Sequence, residues 1–193
     1  MVPLILSLDA GECYASPYQL KHTEVNLQIA FIQENHYVSA VDLLHDMSVH
    51  YNGENAVPRQ IIQQHFMQHL LGPDSSIRIV VATRDDGVVV GLVAITIFHS
   101  LVNATVGETG QLFVKELYVL RTERRTGVGE ALMQWVATYA LSKNCVRVDW
   151  HVRADNQAGL RFYQHLGGVP VDDRLCYRLS GNALTQAAKT GRE

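Results

Sequence analysis

A short run of arginine and glycine residues offers the clearest chemistry in this sequence. The run consists of six consecutive residues: Arg124, Arg125, Thr126, Gly127, Val128 and Gly129. It precedes a segment with helical periodicity, and the first turn of a helix has unpaired N–H groups and a partial positive charge. Glycines there let a phosphate approach those donors. The two arginines can bond to a second phosphate, so the run predicts a pyrophosphate site.

Two other glycine motifs that bind phosphates do not fit this run. The dinucleotide fingerprint would need a glycine at Leu132. A P-loop would need Lys followed by Ser or Thr after its last glycine, where Glu130 and Ala131 stand. The remaining alternative is a helix start whose glycines and basic residues serve only the geometry of the turn.

The elements around the run follow a strand–helix–strand order. Residues 111–120 read as a strand, apolar residues then recur at helical spacing from 128 to 140, and residues 146–152 alternate between apolar and polar. A helix joining two neighbouring strands implies a right-handed crossover with the strands parallel. The run is therefore predicted to lie where the first of these strands leads into the helix.

The rest of the chain supplies further elements. Toward the N-terminus, we predict a strand at 25–32, helices at 38–50 and 61–70, and strands at 77–83 and 88–98. Asp86-Gly87 predicts a tight hairpin turn between the last two, and residues 99–109 read as a loop that borders the substrate site. Toward the C-terminus, Asp155 or Asn156 caps a helix that closes at Gly167, before a last strand near 174–179.

Composition limits the class of protein. The 193 residues are 47% hydrophobic and carry a net charge of -3, which favours one globular domain and argues against nucleic acid or an anionic membrane as partner. No stretch is long and apolar enough for a membrane span, and three cysteines without Cys-x-x-Cys spacing favour reduced thiols in the cytoplasm. We expect an arm or extra strand at 1–20, one domain at 21–181 and a tail at 182–193.

Several motifs together resemble one family. Arg124-x-x-Gly127-x-Gly129, following Leu117-Tyr118-Val119, resembles the acyl-CoA signature of the Gcn5-related N-acetyltransferase (GNAT) superfamily. Residues 155–158 with Phe162-Tyr163 resemble its second motif, and the likeness extends over about residues 77–181. It implies a mixed α/β fold: a central, mostly antiparallel sheet with a splayed parallel pair and flanking helices. It also implies acetyl-CoA as acyl donor and, as in many members, a homodimer.

The resemblance also assigns residues to the cofactor. The pantetheine arm would lie between the splayed strands, against the backbone of Leu117 and Val119. The residues carried over as cofactor-binding are Leu117, Tyr118, Val119, Arg124, Arg125, Thr126, Gly127, Val128, Gly129, Glu130 and Asn156. Gly168 departs from the family, which often has a bulky residue there, and this departure concerns only local packing.

Two residues are candidates for proton transfer. An amine with a pKa of ~10.4 must lose a proton before it attacks, and Glu116 is the first candidate for the base, directly or through water. The alternative is that Glu116 only attracts the ammonium group or pairs with Lys115 or Arg121. Tyr163 matches the family's tyrosine beside the thioester sulfur and would protonate the leaving thiolate, with core packing as the alternative.

Other polar residues leave the acceptor open. Five acidic residues could form a pocket for a cationic amine such as a polyamine or an amino-acid derivative, or they could be solvated surface: Asp42, Asp46, Glu54, Glu108 and Glu116. A peptide amine as acceptor and a non-catalytic acyl-CoA-binding regulator are the other readings. His65 and His69 lack a third ligand in sequence, so we predict no metal, and Cys145 reads as a small buried residue.

Overall fold

The computed structural model describes residues 27–102 and 104–189 of the chain. These residues form two compact units, the first ending at His151 and the second beginning at Val152. The first unit contains a sheet and three helices, and the second contains two helices. The arm expected at residues 1–20 lies outside the described residues.

The first unit is built on a five-stranded sheet in the order β1-β2-β3-β4-β5. The strands are β1 (Gln28–Phe31), β2 (Arg78–Thr83), β3 (Val89–His99), β4 (Gly110–Val119) and β5 (Cys145–Trp150). Each neighbouring pair is antiparallel except β4 and β5, which are parallel. The predicted mixed, mostly antiparallel sheet with one parallel pair is confirmed.

Two helices cover one face of the sheet. Helix α1 spans Tyr37–Asn52, and α2 spans Arg59–His65 and continues as one π-helical turn over Phe66–Leu70. Apolar side chains from both helices and from β2, β3 and β4 form one buried cluster, which includes Leu43, Phe66, Ile79, Leu92 and Tyr118. The predicted pair of helices before the main sheet is confirmed.

Helix α3 (Val128–Ser142) covers the opposite face. Its apolar stripe is buried at Val128, Leu132, Met133, Val136 and Ala140, as expected for a crossover helix that packs on a sheet. The start of α3 approaches β3 closely at Gly91. A Cβ atom there would lie 2.9 Å from Cγ1 of Val128 and 3.0 Å from Cδ1 of Leu132. The absence of a side chain at Gly91 therefore allows the start of α3 to pack directly on the sheet.

The hairpin between β2 and β3 forms as predicted. The N–H of Arg84 donates to the Val88 carbonyl at 3.0 Å, and the N–H of Gly87 donates to the Arg84 carbonyl at 2.9 Å. Gly87 has a φ of 78°, a left-handed conformation that glycine adopts at little cost. The Asp86-Gly87 pair thus supplies the backbone that the turn requires.

The second unit contains α4 (Gln157–His165) and α5 (Gly181–Lys189). Of the two predicted caps for α4, Asn156 is the one used, because its Oδ1 accepts from the Gly159 N–H at 2.9 Å. The helix ends as predicted at Gly167, which has a φ of 82°. Helix α5 covers most of the segment expected to be a tail.

The strand predicted near residues 174–179 is wrong. Residues 174–180 have no regular secondary structure, and Leu175, Tyr177 and Leu179 are 78%, 87% and 59% exposed. A strand exists only when its N–H and C=O groups pair with a neighbouring strand. Alternating side chains can suggest an extended segment, but they do not provide that neighbour.

Candidate active site

Strand β4 extends beyond the end of its parallel neighbour β5. Their pairing runs from Gly110 opposite Cys145 to Val114 opposite Trp150, where β5 ends. Strand β4 continues to Val119 and stays paired with β3 up to Gly91. Residues 115–119 therefore have one edge that pairs with no strand among the described residues. The predicted parallel pairing of β4 and β5 is confirmed, and it stops before residues 115–119.

A β-bulge coincides with the end of the β4–β5 pairing. Ala94 and Ile95 are consecutive on β3, but they pair with Glu116 and Val114 on β4, so Lys115 is an extra residue. A bulge bends its strand and increases the local twist. The bend on β4 thus falls directly after the last residue that pairs with β5.

The backbone of two β4 residues faces the open edge. The N–H of Leu120 donates to the Val90 carbonyl of β3 at 2.9 Å. Residues of an antiparallel strand alternate in the side to which their N–H and C=O groups point. Tyr118 therefore pairs with β3, whereas the polar backbone groups of Leu117 and Val119 point away from it. Those two residues are the ones expected to contact an extended ligand arm.

The start of α3 has the geometry of an anion site. Gly127 has a φ of 92°, and its carbonyl accepts the first intrahelical bond, from the Ala131 N–H at 2.9 Å. No side chain caps the helix, so the amides of Val128, Gly129 and Glu130 lack intrahelical partners. A Cβ built on Gly127 would find no atom within 4 Å. These amides and the open space above them fit a pyrophosphate.

The two arginines before this helix lie in different surroundings. Arg124 is half-buried, its Nε donates to the Val119 carbonyl at 3.1 Å, and its guanidinium carbon lies 5.3 Å from the centroid of the Tyr118 ring. Arg125 is exposed and has a φ of 66°. Thr126 donates its hydroxyl to the Glu123 carbonyl at 2.6 Å, which stabilises the turn. The arginine whose side chain is open to solvent beside the helix start is thus Arg125.

Glu116 lies on β4, two residues beyond the last one paired with β5, and is half-buried. Its Oε1 accepts from the hydroxyl of Tyr51 at 3.4 Å. Burial raises the pKa of the Glu116 carboxyl above its ordinary value of 4.5, while the charge of Lys115 and the bond from Tyr51 act to lower it. Burial is the largest of these effects, so this carboxylate binds a proton more readily than a surface glutamate.

A second acidic residue lies on the same side of β4. The hydroxyl of Tyr118 donates to Oδ2 of Asp46 on α1 at 2.7 Å. The rings of His50 and Tyr51, one turn further along α1, lie 5.9 Å and 6.3 Å from the Tyr118 ring. We had not predicted a role for His50 or Tyr51. The sequence places His50 one turn after Asp46, but it does not show which strand this end of α1 contacts.

The five acidic residues considered for a substrate pocket are only partly brought together. Asp46 and Glu116 lie at the same contact between α1 and β4, where Asp46 bonds to Tyr118 and Glu116 bonds to Tyr51. Asp42 instead forms an ion pair with Arg59. Glu54 lies in a short 3₁₀ turn and Glu108 in the loop between β3 and β4, and both are exposed. The acidic residues at the contact between α1 and β4 are therefore two of the five that the sequence suggested.

The two candidate residues after His151 belong to the second unit. Tyr163 lies on α4, is half-buried, and its ring centroid is 5.1 Å from that of Phe162. Asn156 uses its carbonyl oxygen to cap α4. Its Nδ2 packs above Gly159, where an added Cβ would approach within 2.6 Å. The cap fixes the orientation of this amide.

The remaining reactive side chains have ordinary surroundings. Cys145 is buried, as predicted, and burial raises the pKa of its thiol. His65 and His69 are exposed with ring centroids 5.2 Å apart. Within residues 27–102 and 104–189, no group of three or more His, Cys, Asp or Glu side chains is arranged to bind a metal. None of the helices in these ranges is long and apolar enough to cross a bilayer.

Comparison with known proteins agrees with this geometry. Residues 41–168 match the model of the acetyltransferase (GNAT) family. The solved integron cassette protein VCH_CASS6 from the mobile metagenome of V. cholerae is 26% identical, with a TM-score of 0.77 over 84% of this chain and 98% of that one.

Two enzymes share the fold at lower identity. Aminoglycoside N-acetyltransferase AAC(6')-Iy, solved with CoA, is 19% identical with a TM-score of 0.62 over 83% of this chain and 99% of that one. Aminoglycoside acetyltransferase meta-AAC0020 from an uncultured soil metagenomic sample, solved with sisomicin, is 15% identical with a TM-score of 0.62 over 80% and 95%. The family match covers about two thirds of the sequence and includes both the parallel strands β4 and β5 and the glycine-lined helix start, so this chain belongs to the acetyltransferase (GNAT) family.

Proposed function

We propose that this protein transfers an acetyl group from acetyl-CoA to a primary amine of a small cationic molecule, such as a polyamine or an amino-acid derivative. One observation carries the proposal. Glu116, a half-buried carboxylate with a raised pKa, lies on the part of β4 that extends past its pairing with β5. The donor site and a proton acceptor thus share one stretch of strand.

The chain's own residues account for binding of the donor. Leu117 offers its N–H and C=O groups, and Val119 its N–H, at the open edge of β4, where they would pair with the amides of the pantetheine arm. The amides from Arg125 to Glu130 would surround the pyrophosphate, with Arg125 adding charge. When bound, acetyl-CoA supplies an acyl group activated as a thioester. Asn156 is assigned to the cofactor on the family motif alone.

Glu116 is proposed to take a proton from the attacking amine. An alkylamine with a pKa of ~10.4 is almost fully protonated at pH 7, and removing that proton costs about 4.6 kcal/mol at ~1.36 kcal/mol per pH unit. A carboxylate whose pKa is raised by burial is a better base than a surface glutamate. Its charge would also attract the ammonium group before the proton is transferred.

Tyr163 is proposed to donate a proton to the departing thiolate. A phenol with a pKa of ~10 is close enough to a thiol of ~8.5 to supply the proton as the sulfur leaves. The assignment rests on the family motif around residues 155–163. Positioning of the amine and the acyl group by the remaining residues can account for a further ~7–11 kcal/mol of the barrier.

The surroundings of Glu116 favour a cationic amine. Carboxylates at Asp46 and Glu116 and the rings of His50 and Tyr51 lie together on one side of β4. Carboxylates attract ammonium groups, and aromatic faces contribute cation–π interactions. Two enzymes with the same fold are named as aminoglycoside acetyltransferases, which supports a small polyamine-like acceptor.

The decisive experiment measures release of free thiol from acetyl-CoA with polyamines, amino acids, aminoglycosides and peptides as acceptors. We expect turnover with at least one class of small amine and a loss of about 10²-fold in kcat for Tyr163→Phe. Turnover with peptides alone would replace the small acceptor by a protein one. Binding of acetyl-CoA without turnover on any acceptor would indicate a regulator, and unchanged kcat in Tyr163→Phe would remove the assigned acid.

The oligomeric state and the location in the cell are further proposals. We infer a homodimer from the family resemblance, a cytoplasmic protein from the few cysteines without Cys-x-x-Cys spacing, and a single catalytic domain that spans residues 21–181. Light scattering of the purified protein tests the dimer. A monomeric mass would remove that proposal and leave the activity untouched.

A further inference from the structure

Arg124 connects three elements of the first unit. Its Nε donates to the carbonyl of Val119 at the end of β4, and its guanidinium lies over the ring of Tyr118. The hydroxyl of Tyr118 in turn donates to Asp46 on α1. A continuous set of contacts therefore runs from the helix that faces the acceptor side, through β4, to the residue that begins the glycine-lined turn.

We propose that Arg124 is a positioning residue for the pyrophosphate turn, held by Tyr118 and Asp46, and that it does not itself bind phosphate. The inference rests on the proposed function, because it concerns the same donor site. It differs from the expectation that both arginines before Gly127 bond to the phosphates. Arg125, which is exposed, carries that role alone.

The bond from Arg124 to Val119 closes a short loop of chain. The side chain reaches back over five residues, across the 3₁₀ turn Arg121–Glu123. Directly after Arg124, the backbone passes through left-handed conformations at Arg125 and Gly127, with φ of 66° and 92°. Positive φ at a residue other than glycine is unfavourable and persists only where neighbouring contacts hold the chain. The contacts of Arg124 with Val119 and Tyr118 lie immediately before this left-handed segment.

The surroundings of Tyr118 stabilise its contacts with Asp46 and Arg124. Tyr118 is 3% exposed. Burial, the hydrogen bond to Asp46 and the charge of Asp46 together raise the pKa of Tyr118 to about 12, and Arg124 acts in the opposite direction. Tyr118 therefore keeps its proton, so its hydroxyl remains a donor to Asp46 at physiological pH. A neutral ring with a fixed orientation provides a stable surface for the guanidinium group.

The experiment measures the Kd of CoA by calorimetry for the full-length protein and for three variants. Arg124→Gln, Tyr118→Phe and Asp46→Asn should each weaken CoA binding by about three- to tenfold, the effect of losing one hydrogen bond of this kind. Neither Tyr118 nor Asp46 is assigned a contact with phosphate, so equal losses point to one shared arrangement. The double variant Arg124→Gln/Tyr118→Phe should lose less than the product of the two single losses.

Matched controls are available in the same unit. Arg59 is also a half-buried arginine whose Nε bonds to a protein acceptor, Asp42, and the hydroxyl of Tyr139 also bonds to a charged side chain, Arg78. Arg59→Gln and Tyr139→Phe should bind CoA within about twofold of the parent protein. Thermal unfolding shows whether each variant is folded.

A conservative variant separates positioning from direct binding. Lysine binds phosphate well as a point charge, but its single ammonium group cannot bond to the Val119 carbonyl and also lie over the Tyr118 ring as the larger guanidinium does. Arg124→Lys should therefore stay as weak as Arg124→Gln. Full rescue by lysine, or loss of affinity in Arg124→Gln with parental affinity in Tyr118→Phe and Asp46→Asn, would overturn the inference. Absence of any CoA binding by the parent protein would instead contradict the proposed function.

Discussion

The hydroxyl of Tyr51 on α1 lies 3.4 Å from Oε1 of Glu116 on β4, which joins two residues 65 positions apart in the sequence. The contact places a hydrogen-bond donor from the helix beside the carboxylate on the unpaired part of β4. It also gives the helix a direct influence on the pKa of Glu116, because a hydrogen bond to the charged form lowers that pKa.

Replacing Glu116 should remove the base. Glu116→Gln keeps the shape of the side chain but cannot accept a proton, so kcat/KM for the amine should fall by about 10²- to 10⁴-fold. The Kd of CoA, measured by calorimetry, should remain unchanged. In the parent enzyme, activity should fall with decreasing pH through a pKa above the ordinary 4.5, because burial raises the pKa of this carboxyl. Parental activity in Glu116→Gln would show that the carboxylate is not the base.

Removing the Tyr51 hydroxyl should shift the acid limb of the pH profile, which is the pH range in which kcat/KM falls as Glu116 binds a proton. The bond from Tyr51 lowers the pKa of Glu116, so Tyr51→Phe should raise that pKa and move the acid limb of kcat/KM to higher pH. Well above the limb, the variant and the parent enzyme should differ little. Tyr139→Phe, which removes a hydroxyl on α3, serves as the control. A limb that moves to lower pH would contradict the assigned hydrogen bond.

Adding a methyl group at Gly127 should weaken donor binding through the backbone. No atom lies within 4 Å of the new Cβ. Residue 127 has a φ of 92°, however, and this backbone conformation costs alanine ~1–2 kcal/mol. Gly127→Ala should therefore lose stability and bind CoA more weakly. Gly87→Ala, with a φ of 78° and equal space at the β2–β3 turn, should lose similar stability with no change in CoA affinity. Equal CoA affinity in Gly127→Ala and Gly87→Ala would show that Gly127 does not belong to the donor site.

A substitution at Gly91 tests how α3 packs on the sheet. The added Cβ of Gly91→Ala would lie 2.9 Å from Val128 and 3.0 Å from Leu132, so both side chains must move. Overpacking of this kind costs about 1–3 kcal/mol, which denaturant unfolding measures directly. Because Val128 is the first residue of α3, CoA affinity should also decrease. A variant as stable as the parent protein would mean that the helix start shifts without cost.

Local sequence patterns predicted the elements whose cause is local. The Asp86-Gly87 turn, the Asn156 cap and the glycine-lined start of α3 each depend on residues within one turn of one another, so their conformations follow from residue type. The parallel pairing of β4 and β5 also follows, because a crossover helix leaves few arrangements for the strands it joins. The strand expected near 174–179 did not follow, since extended sequence does not create a partner strand.

The sequence by itself predicted the β2–β3 hairpin, the parallel pairing of β4 and β5 and the glycine-lined start of α3, because periodicity and turn chemistry act between neighbouring residues. Only the tertiary structure decided which side chains of different elements contact one another. It placed Lys115 in the bulge where β4 leaves β5, brought Tyr51 to Glu116, and paired Asp46 with Tyr118 and Asp42 with Arg59. Such contacts depend on which end of α1 lies over which end of β4, and no pattern within either segment contains that information.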